Sequence, residues 1–360
     1  MLIPYIILKM GKENFFNIDT IIDQKEKYLI GYSYNESNYK YLKYKSLIER
    51  DNVEVLALGS SRVLQFRSEM FNTTFYNAGF TIKNIYDFEN ILRIIPKNKM
   101  PKYLIIGIDQ WMFNESWDDL KSNNFDKDSF ISNNSNNIIN GINCFKLVYN
   151  DILSKKLTTS NLMNSKFDYI PIGLNARVNA TGIRNDGSMF YGKQIDDLLN
   201  KNSSAIDFNY EDTYFRINKG DKRFEYSNNI NAKVVEILNI FLAYCKEQNI
   251  KVIGIIPPFA DKVYTKMMTS SNYKYLEKIF PTIKPIFEKY NFEVYQFNSM
   301  KDCNSNDNET IDGFHGGEKT YVGMLISILE EGSVLNNVCD LSQLKKDKDN
   351  SLNDYLMYNY

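Results

Sequence analysis

The stretch Val53-Glu54-Val55-Leu56-Ala57-Leu58-Gly59-Ser60-Ser61-Arg62 joins a short apolar run to a tight turn. The run ends in Gly59, which predicts a buried strand that enters a turn. A helical stretch through about Met70 is expected to follow. Such a strand–turn–helix unit places Ser60 and Ser61 at the carboxyl edge of a sheet, above the free amide groups of a helix N-terminus.

The same alternation of strand and helix recurs on both sides of a long polar middle segment. Further strands are predicted at 74–79, 102–109, 250–256 and 292–297, and helices at 82–95, 232–246, 273–290 and 318–329. Pro281 and Pro285 are expected to bend or split the third of these helices. Because strands that alternate with helices form parallel sheets, we predict an α/β fold. The expected architecture is a three-layer α/β/α sandwich around a five-stranded parallel sheet of flavodoxin-like order.

The strand pattern also divides the chain into segments. We expect an α/β core made of residues 51–114 and 231–332. Residues 1–50 are predicted to be an N-terminal extension packed on this core, and residues 333–360 a polar, peripheral tail. The Asn- and Ser-rich residues 115–230 are predicted to be a large insertion that covers the site at one end of the sheet.

Charge and cysteine content exclude several classes of protein. The 43 basic and 44 acidic residues balance, so nothing predicts a nucleic-acid partner. The four cysteines are widely spaced, and with a single histidine they do not make an ordinary zinc site. We therefore predict no metal and no cofactor.

The first nine residues are apolar but too short to span a membrane, and they lack the features of a secretory signal. They are expected to be either the remnant of a membrane anchor or a buried N-terminal strand. No other stretch of the sequence is apolar enough to cross a bilayer.

His315 is the only histidine, and it lies in the loop Ile311-Asp312-Gly313-Phe314-His315-Gly316-Gly317. Proton transfer by an imidazole near neutral pH therefore has to take place here. A serine hydroxyl is a weak nucleophile unless a base removes its proton, and Ser61 is the best candidate for that nucleophile. Asp312 can accept the other ring N–H and orient the ring. The alternative is a histidine that only forms a turn and a serine that only caps one.

Four short blocks, each following a predicted strand, resemble the SGNH (GDSL-type) hydrolase superfamily. The blocks are Gly59-Ser60-Ser61-Arg62, Asn77-Ala78-Gly79, Gly107-Ile108-Asp109-Gln110 and Asp312-Gly313-Phe314-His315. The resemblance covers the strands and their loops and does not extend to residues 115–230. It implies that Ser61 is the nucleophile of a catalytic triad that His315 and Asp312 complete.

The same resemblance implies an oxyanion hole, and here the sequence departs from the family. The amides of Ser61 and Gly79 would supply two donors, although strands often end in glycine for other reasons. Asp109 stands where the family has an asparagine donor, and an ionised carboxylate would repel the oxyanion. Either Asp109 is protonated, or Gln110 donates instead, or Asp109 points elsewhere and two donors suffice. Ser60 likewise stands where aspartate is usual.

Four other residues are candidates for substrate binding. Arg62 follows the nucleophile, and Trp111 follows a strand end, where it either walls the pocket or belongs to the core. Arg184 and Asp186 belong to an Asn-Asp-Gly turn in the insertion. They either bind an acceptor, with Arg184 facing a carboxylate or phosphate, or form a solvated hairpin tip.

Within the superfamily the chain looks most like the extracytoplasmic, membrane-associated branch. That branch includes polysaccharide O-acyltransferases and esterases and the D-alanyl-transfer protein of teichoic acid esterification. The resemblance implies a serine esterase or O-acyltransferase that acts on a cell-surface carbohydrate polymer through an acyl-enzyme on Ser61. Its partners would be the glycopolymer, an acyl donor and a membrane acyltransferase.

The resemblance also implies an extracytoplasmic location, with the N-terminal anchor absent or truncated in this sequence; a cytoplasmic location stays open. The alternative hypothesis is a non-catalytic binding or accessory protein on the same fold. In that case the aspartate at position 109 marks a degraded oxyanion hole.

Overall fold

A computed structural model of the chain describes residues 2–13, 26–34, 36–117, 120, 125–132, 138–163 and 166–359. These residues form two compact units. The N-terminal unit comprises the described residues within 1–50 and 126–200, and the core unit comprises those within 51–125 and 201–359.

Short strands and helices alternate through both units. The strands are β1 (Tyr28–Ile30), β2 (Val55–Leu58), β3 (Phe75–Asn77), β4 (Tyr103–Gly107), β5 (Ile170–Ile172), β6 (Thr181–Ile183), β7 (Met189–Tyr191), β8 (Lys251–Ile256) and β9 (Glu293–Gln296). The α-helices are α1 (Leu2–Met10), α2 (Tyr39–Glu49), α3 (Tyr86–Ile94), α4 (Asp128–Ile131), α5 (Ile138–Leu153), α6 (Thr159–Leu162), α7 (Leu174–Asn179), α8 (Gly192–Leu199), α9 (Glu211–Lys219), α10 (Ala232–Glu247), α11 (Asp261–Met268), α12 (Tyr275–Lys289), α13 (Glu318–Glu330) and α14 (Leu341–Asp349).

The core unit is built on the sheet β3-β2-β4-β8-β9, in which every neighbouring pair is parallel. Numbered by chain position, its strands stand in the order 2-1-3-4-5, so the predicted α/β fold with a five-stranded parallel sheet is confirmed. β2 and β4 are wholly buried, as expected of strands covered on both faces. Because the strands are parallel, their carboxyl ends share one edge, and Ser61, Gly79 and Asp109 follow strands there.

The segment after β2 is not the predicted helix. Residues 61–70 form two short 3-10 turns, Ser61–Val63 and Ser68–Met70. The reason lies in Asn77 at the end of β3, whose side-chain amide donates to the carbonyls of Val63 (2.7 Å) and Phe66 (2.9 Å). The carbonyl of Val63 also accepts the N–H of Phe66 at 3.2 Å, which is a contact of a 3-10 turn, so the Asn77 amide binds the carbonyls of a turn and not of a continuing α-helix.

Two other segments also need comment. α12 contains both Pro281 and Pro285 and is not split by them, so of the two predicted effects bending stays a prediction. The start of the chain is the helix α1 and not a strand, and it buries Ile7 and Leu8 against Cys144 and Val148 of α5. Among the described helices, none is both long and apolar enough to cross a membrane.

The C-terminal tail is not peripheral. Leu335, Val338 and Met357 are buried in the same apolar cluster as the strands of the core sheet. The buried carboxylate of Glu318 accepts the backbone N–H of Met357 at 2.9 Å. The few apolar residues of this polar segment therefore anchor it to the core unit.

The N-terminal unit holds a second, mixed sheet in the order β5-β1-β6-β7. β1 pairs parallel with β5 and antiparallel with β6. These backbone hydrogen bonds group part of residues 1–50 with residues 126–200, whereas residues 201–230 belong to the core unit. The boundaries of the two units therefore differ from those of the predicted segments. The predicted packing of residues 1–50 on the core, and the covering of the site by 115–230, stay predictions.

Candidate active site

The turn after β2 is shaped by the close approach of three strand ends. Val63 lies where a Cβ on Gly59, Gly79 or Gly107 would come within 2.7, 2.7 and 2.4 Å of its side chain. Glycine at these positions lets the turn fold back over the sheet edge. The side chain of Ser60 caps the turn by accepting the backbone N–H of Arg62 at 3.2 Å.

The loop after β9 is closed by its own hydrogen bonds. The N–H of Ile311 donates to the carbonyl of His315 at 2.7 Å. Oδ1 of Asp312 accepts the backbone N–H groups of Phe314 and His315, both at 2.9 Å. This leaves Oδ2 of Asp312 facing the ring of His315.

Ser61, His315 and Asp312 meet in a continuous hydrogen-bonded chain. Oγ of Ser61 lies 2.8 Å from Nε2 of His315, and Nδ1 of His315 lies 2.7 Å from Oδ2 of Asp312. Because an ionised carboxylate only accepts, Nδ1 carries the ring proton and Nε2 is left to accept from the serine hydroxyl. The structure thus brings together the three residues that the sequence placed at the chemistry.

Asp312 is held in the ionised form. Burial by itself would raise the pKa of its carboxyl group. The nearby His315, its hydrogen bond and the two backbone amides outweigh burial and hold the pKa of Asp312 below its ordinary value. A carboxylate at neutral pH is the form that can orient an imidazole and stabilise its charged state.

Asp207, which no sequence pattern indicated, lies outside the loop 311–317 that carries His315 and holds it by a hydrogen bond. Its Oδ2 accepts the backbone N–H of Gly313 at 3.0 Å and the hydroxyl of Thr213 at 2.6 Å. Its Oδ1 accepts the N–H of Thr213 at 2.9 Å. A Cβ on Gly313 would lie 2.6 Å from Oγ1 of Thr213, so the two segments are closely packed. Asp207 and Gly313 lie 106 residues apart, and this is why no local sequence pattern indicates their contact.

Replacing Asp207 with alanine is expected to lower the free energy of unfolding of the core unit by about 1–2 kcal/mol, since three donors lose their acceptor. The measurement is urea unfolding. Asp212→Ala is the matched control, because this exposed carboxylate on α9 pairs with Arg216 at the surface. We expect the control to change stability by less than about 0.5 kcal/mol. Equal losses in both variants would contradict the bracing role.

Arg62 is an internal brace, and not an open substrate contact as predicted. Its guanidinium is fully buried. It donates to the carbonyls of Phe314 (2.9 Å), Pro257 (2.9 Å) and Pro258 (2.6 Å) and to Oε1 of Gln110. These bonds tie the turn after β2 to the loop that carries His315 and to the chain after β8. The guanidinium N–H groups that a substrate would need already donate to protein carbonyls.

The predicted oxyanion donors differ in their availability. Among the described residues, no acceptor is bound to the backbone N–H of Ser61. The N–H of Gly79, in contrast, donates to Oδ1 of Asn77 at 2.8 Å. The packing of Gly79 on Val63 already explains why glycine is needed there. Of the two amides, that of Ser61 is therefore the one left without an acceptor in the part of the chain that the structure describes.

Asp109 is the most unusual group at the sheet edge. Its side chain is 0% exposed, and neither carboxylate oxygen has a well-aligned hydrogen bond among the described residues, although the hydroxyl of Ser60 is directed at it. Nη1 of Arg62 lies 3.9 Å from Oδ1. Burial raises the pKa of Asp109 above its ordinary value, although Arg62 and the hydroxyl of Ser60 favour the charged form.

Trp111 belongs to the core. It is 3% exposed and stacks on Trp117 with ring centroids 5.8 Å apart. The guanidinium groups of Arg62 and Arg223 lie 5.5 and 4.8 Å from its ring. Arg223, which the sequence did not single out, is an exposed cation whose charge acts on Asp109.

Arg184 and Asp186 lie in the N-terminal unit, at the turn between β6 and β7. Arg184 is buried, and its Nη1 donates to the carbonyl of Met189 at 3.0 Å. Asp186 accepts both the N–H (2.9 Å) and the hydroxyl (2.6 Å) of Ser188. These bonds close the turn, and acceptor binding by the two residues stays a prediction.

No family model, curated protein or solved structure matches this chain. We therefore infer what the protein does from the side chains that meet at the edge of its parallel sheet.

Proposed function

We propose that this protein is a serine-dependent acyl-ester hydrolase or O-acyltransferase. The observation that carries the proposal is the chain of 2.8 and 2.7 Å contacts from Ser61 through His315 to Asp312. A hydroxyl, an imidazole and an ionised carboxylate in this order are the parts that nucleophilic acyl transfer requires. Their position at the carboxyl edge of a parallel sheet is where such sites collect.

The reaction has two steps, acylation and then deacylation of Ser61, and each passes through a tetrahedral intermediate. His315 takes the proton of Ser61 as Oγ attacks the acyl carbonyl carbon, and a tetrahedral oxyanion forms. When the intermediate collapses, the ester C–O bond breaks and His315 gives its proton to the leaving alcohol. Water or a sugar hydroxyl then attacks the acyl-enzyme, with His315 again taking the proton. The second collapse returns that proton to Ser61 and releases the acid or the new ester.

The chain is further proposed to be an SGNH-type hydrolase with a three-layer α/β/α core. Its four resembling blocks follow strands of a parallel sheet in the order 2-1-3-4-5, and the helices α3 and α10 connect strands of that sheet. Ser60 and Asp109 remain departures from the family pattern. The resemblance also supports a glycopolymer acceptor, a membrane acyltransferase that delivers the acyl group, and an extracytoplasmic site of action.

The test of this function is labelling by a fluorophosphonate probe, which reacts covalently with activated serines. We expect the protein to be labelled, and the label to be lost in Ser61→Ala. Ser60→Ala is the matched control, because the two serines are adjacent and only Ser61 contacts His315. Labelling that survives Ser61→Ala, or no labelling of the native protein, would contradict the proposal.

A binding or accessory protein is the second candidate, and the engaged amide of Gly79 and the carboxylate of Asp109 favour it. A site with too few oxyanion donors would hold a ligand without turning it over. The two candidate functions predict different results when the protein is assayed for hydrolysis of p-nitrophenyl acetate. Turnover above background that is lost in His315→Ala excludes the binding protein, whereas no turnover in the native protein supports it.

A further inference from the structure

The helix α13 begins three residues after His315 and also binds the turn that carries Ser61. Its first residue is Glu318, and Tyr321 follows one helical turn later. Residues three apart lie on the same side of an α-helix, so both side chains can reach one neighbour. Here that neighbour is the segment 61–67, which begins with the candidate nucleophile. One side of α13 therefore joins the chain next to the histidine to the chain next to the serine.

Tyr321 makes the first of these links. Its hydroxyl donates to the backbone carbonyl of Arg62, the residue directly after Ser61, at 2.6 Å. Its ring is buried and meets the ring of Phe66 edge-on, with the centroids 4.8 Å apart. The ring contact anchors Tyr321 in the core. The hydrogen bond depends on distance and angle, so it fixes where the peptide after Ser61 lies.

Glu318 makes the second link. Its carboxylate is fully buried, and its Oε1 lies 3.2 Å from Nη1 of Arg67. Its Oε2 accepts the backbone N–H groups of Met357 at 2.9 Å and Tyr358 at 3.3 Å. A buried carboxylate is stable only with such partners, because burial without them is costly. Both oxygens are engaged, so this side chain has one well-defined position.

The C-terminal tail closes over the start of α13. The carbonyl of Tyr355 accepts the N–H of Glu318 at 2.8 Å, and a Cβ on Gly317 would lie 2.8 Å from the same carbonyl. The carbonyl of Tyr358 accepts from Nη1 of Arg67 at 3.4 Å. The tail therefore binds both the start of α13 and the end of segment 61–67.

We propose that Tyr321 and Glu318 are positioning residues that hold the hydroxyl of Ser61 within reach of His315; this inference rests on the proposed acyl transfer. The 2.8 Å contact between Oγ and Nε2 joins residues that lie 254 positions apart, so links between distant segments set its length. Both positioning residues act through the backbone and not by contact with a substrate. A misplacement of about 1 Å can cost about 10²-fold in rate, so a small shift of the turn is expected to appear in kcat.

Tyr321→Phe removes one hydroxyl and keeps the ring. We expect kcat for p-nitrophenyl acetate to fall about tenfold with KM unchanged, because only the placement of the nucleophile changes. The rate of labelling of Ser61 by fluorophosphonate should fall by the same factor. Glu318→Gln is expected to act in the same direction, since the amide offers one acceptor oxygen to donors that now share two.

Tyr273→Phe is the matched control. This tyrosine is also buried in the core unit, and its hydroxyl donates to the carbonyls of Ile217 at 3.0 Å and Phe224 at 2.9 Å. These carbonyls belong neither to segment 61–67 nor to the loop that carries His315. We expect the control to keep the native kcat although it also loses buried hydrogen bonds. If stability alone were responsible, kcat would fall in both variants.

Nuclear magnetic resonance gives a readout that does not depend on turnover. Because His315 is the only histidine, ¹⁵N-labelled histidine yields the ring signals of one imidazole. The Nε2 signal reports on the hydrogen bond from Ser61. We expect it to move in Tyr321→Phe towards its position in Ser61→Ala, where that bond is absent, and to stay native in Tyr273→Phe.

The inference and the proposed function fail in different ways. A folded Tyr321→Phe variant with the native kcat and the native Nε2 signal would overturn the inference, as would equal changes in Tyr273→Phe. If the native protein neither hydrolyses the ester nor reacts with fluorophosphonate, the proposed function itself has failed. The Nε2 signal then still decides whether Tyr321 holds the contact between Ser61 and His315.

Discussion

Replacing His315 with alanine is expected to lower kcat for ester hydrolysis by at least about 10³-fold, and by about 10⁶-fold if the triad acts as a unit. No other residue can take over, because this is the only histidine in the chain. Ser61 then lacks the base that lies 2.8 Å from its hydroxyl. The measurement is the steady-state rate with a p-nitrophenyl ester.

Free imidazole provides the matched control for this variant. Added imidazole is expected to restore part of the activity of His315→Ala, because the small molecule fits the space that the ring leaves. Added imidazole is expected to restore no activity to the double variant Ser61→Ala, His315→Ala. If it did, the hydrolysis would come from free imidazole and not from the site. Asp312→Asn should lose about 10⁴-fold, because the amide cannot hold the ring in the productive tautomer. Full activity of either single variant would contradict the triad.

Replacing Arg62 with leucine is expected to lower the free energy of unfolding of the core unit by about 3–5 kcal/mol. The change removes the Arg62 donors from the buried carbonyls of Phe314 and Pro258, leaves that of Pro257 with Gln110 alone, and removes the cation beside Asp109. The measurement is urea unfolding followed by tryptophan fluorescence. Both tryptophans of the chain, Trp111 and Trp117, lie in the core unit, so the signal reports on that unit.

A double variant separates the two causes of this loss. If the lone carboxylate of Asp109 contributes, Arg62→Leu combined with Asp109→Asn will be more stable than Arg62→Leu alone. If only the carbonyls matter, the two losses will add. Arg62→Lys keeps the charge but not the fork of donors, so it should also destabilise. A loss below about 1 kcal/mol in Arg62→Leu would contradict the bracing role.

The sheet was predictable because its signal is local. Apolar runs at β2, β4 and β8 end in glycine or proline, and helical spacing marks α10 and α13. β1 is three residues long and carries no such pattern, so its pairing with β5 and β6 was not foreseen. The grouping of residues 1–50 with 126–200 follows from that pairing and from the packing of α1 on α5.

The residues that would carry out the chemistry of the candidate site were predictable from the sequence. The residues that hold them in position were not. A single histidine, an aspartate three residues before it and a serine after a strand reduced the choices to a few side chains. The exposure of a side chain cannot be read from sequence, so the sequence predicts Arg62 as a substrate contact although it is buried. Asp207 and Asn77 were missed as braces because each acts on a segment that lies elsewhere in the chain.

The amino-acid sequence alone determined the strands of the core sheet and helices such as α10, since their apolar spacing depends on neighbours a few residues away. It also determined which proton acceptor is at hand, because the chain offers one imidazole. Only the tertiary structure decided that this imidazole meets a hydroxyl 254 residues away, which amides are left open, and that Asp109 is enclosed beside a cation. Those outcomes depend on burial and on contacts between distant segments, which no local pattern encodes.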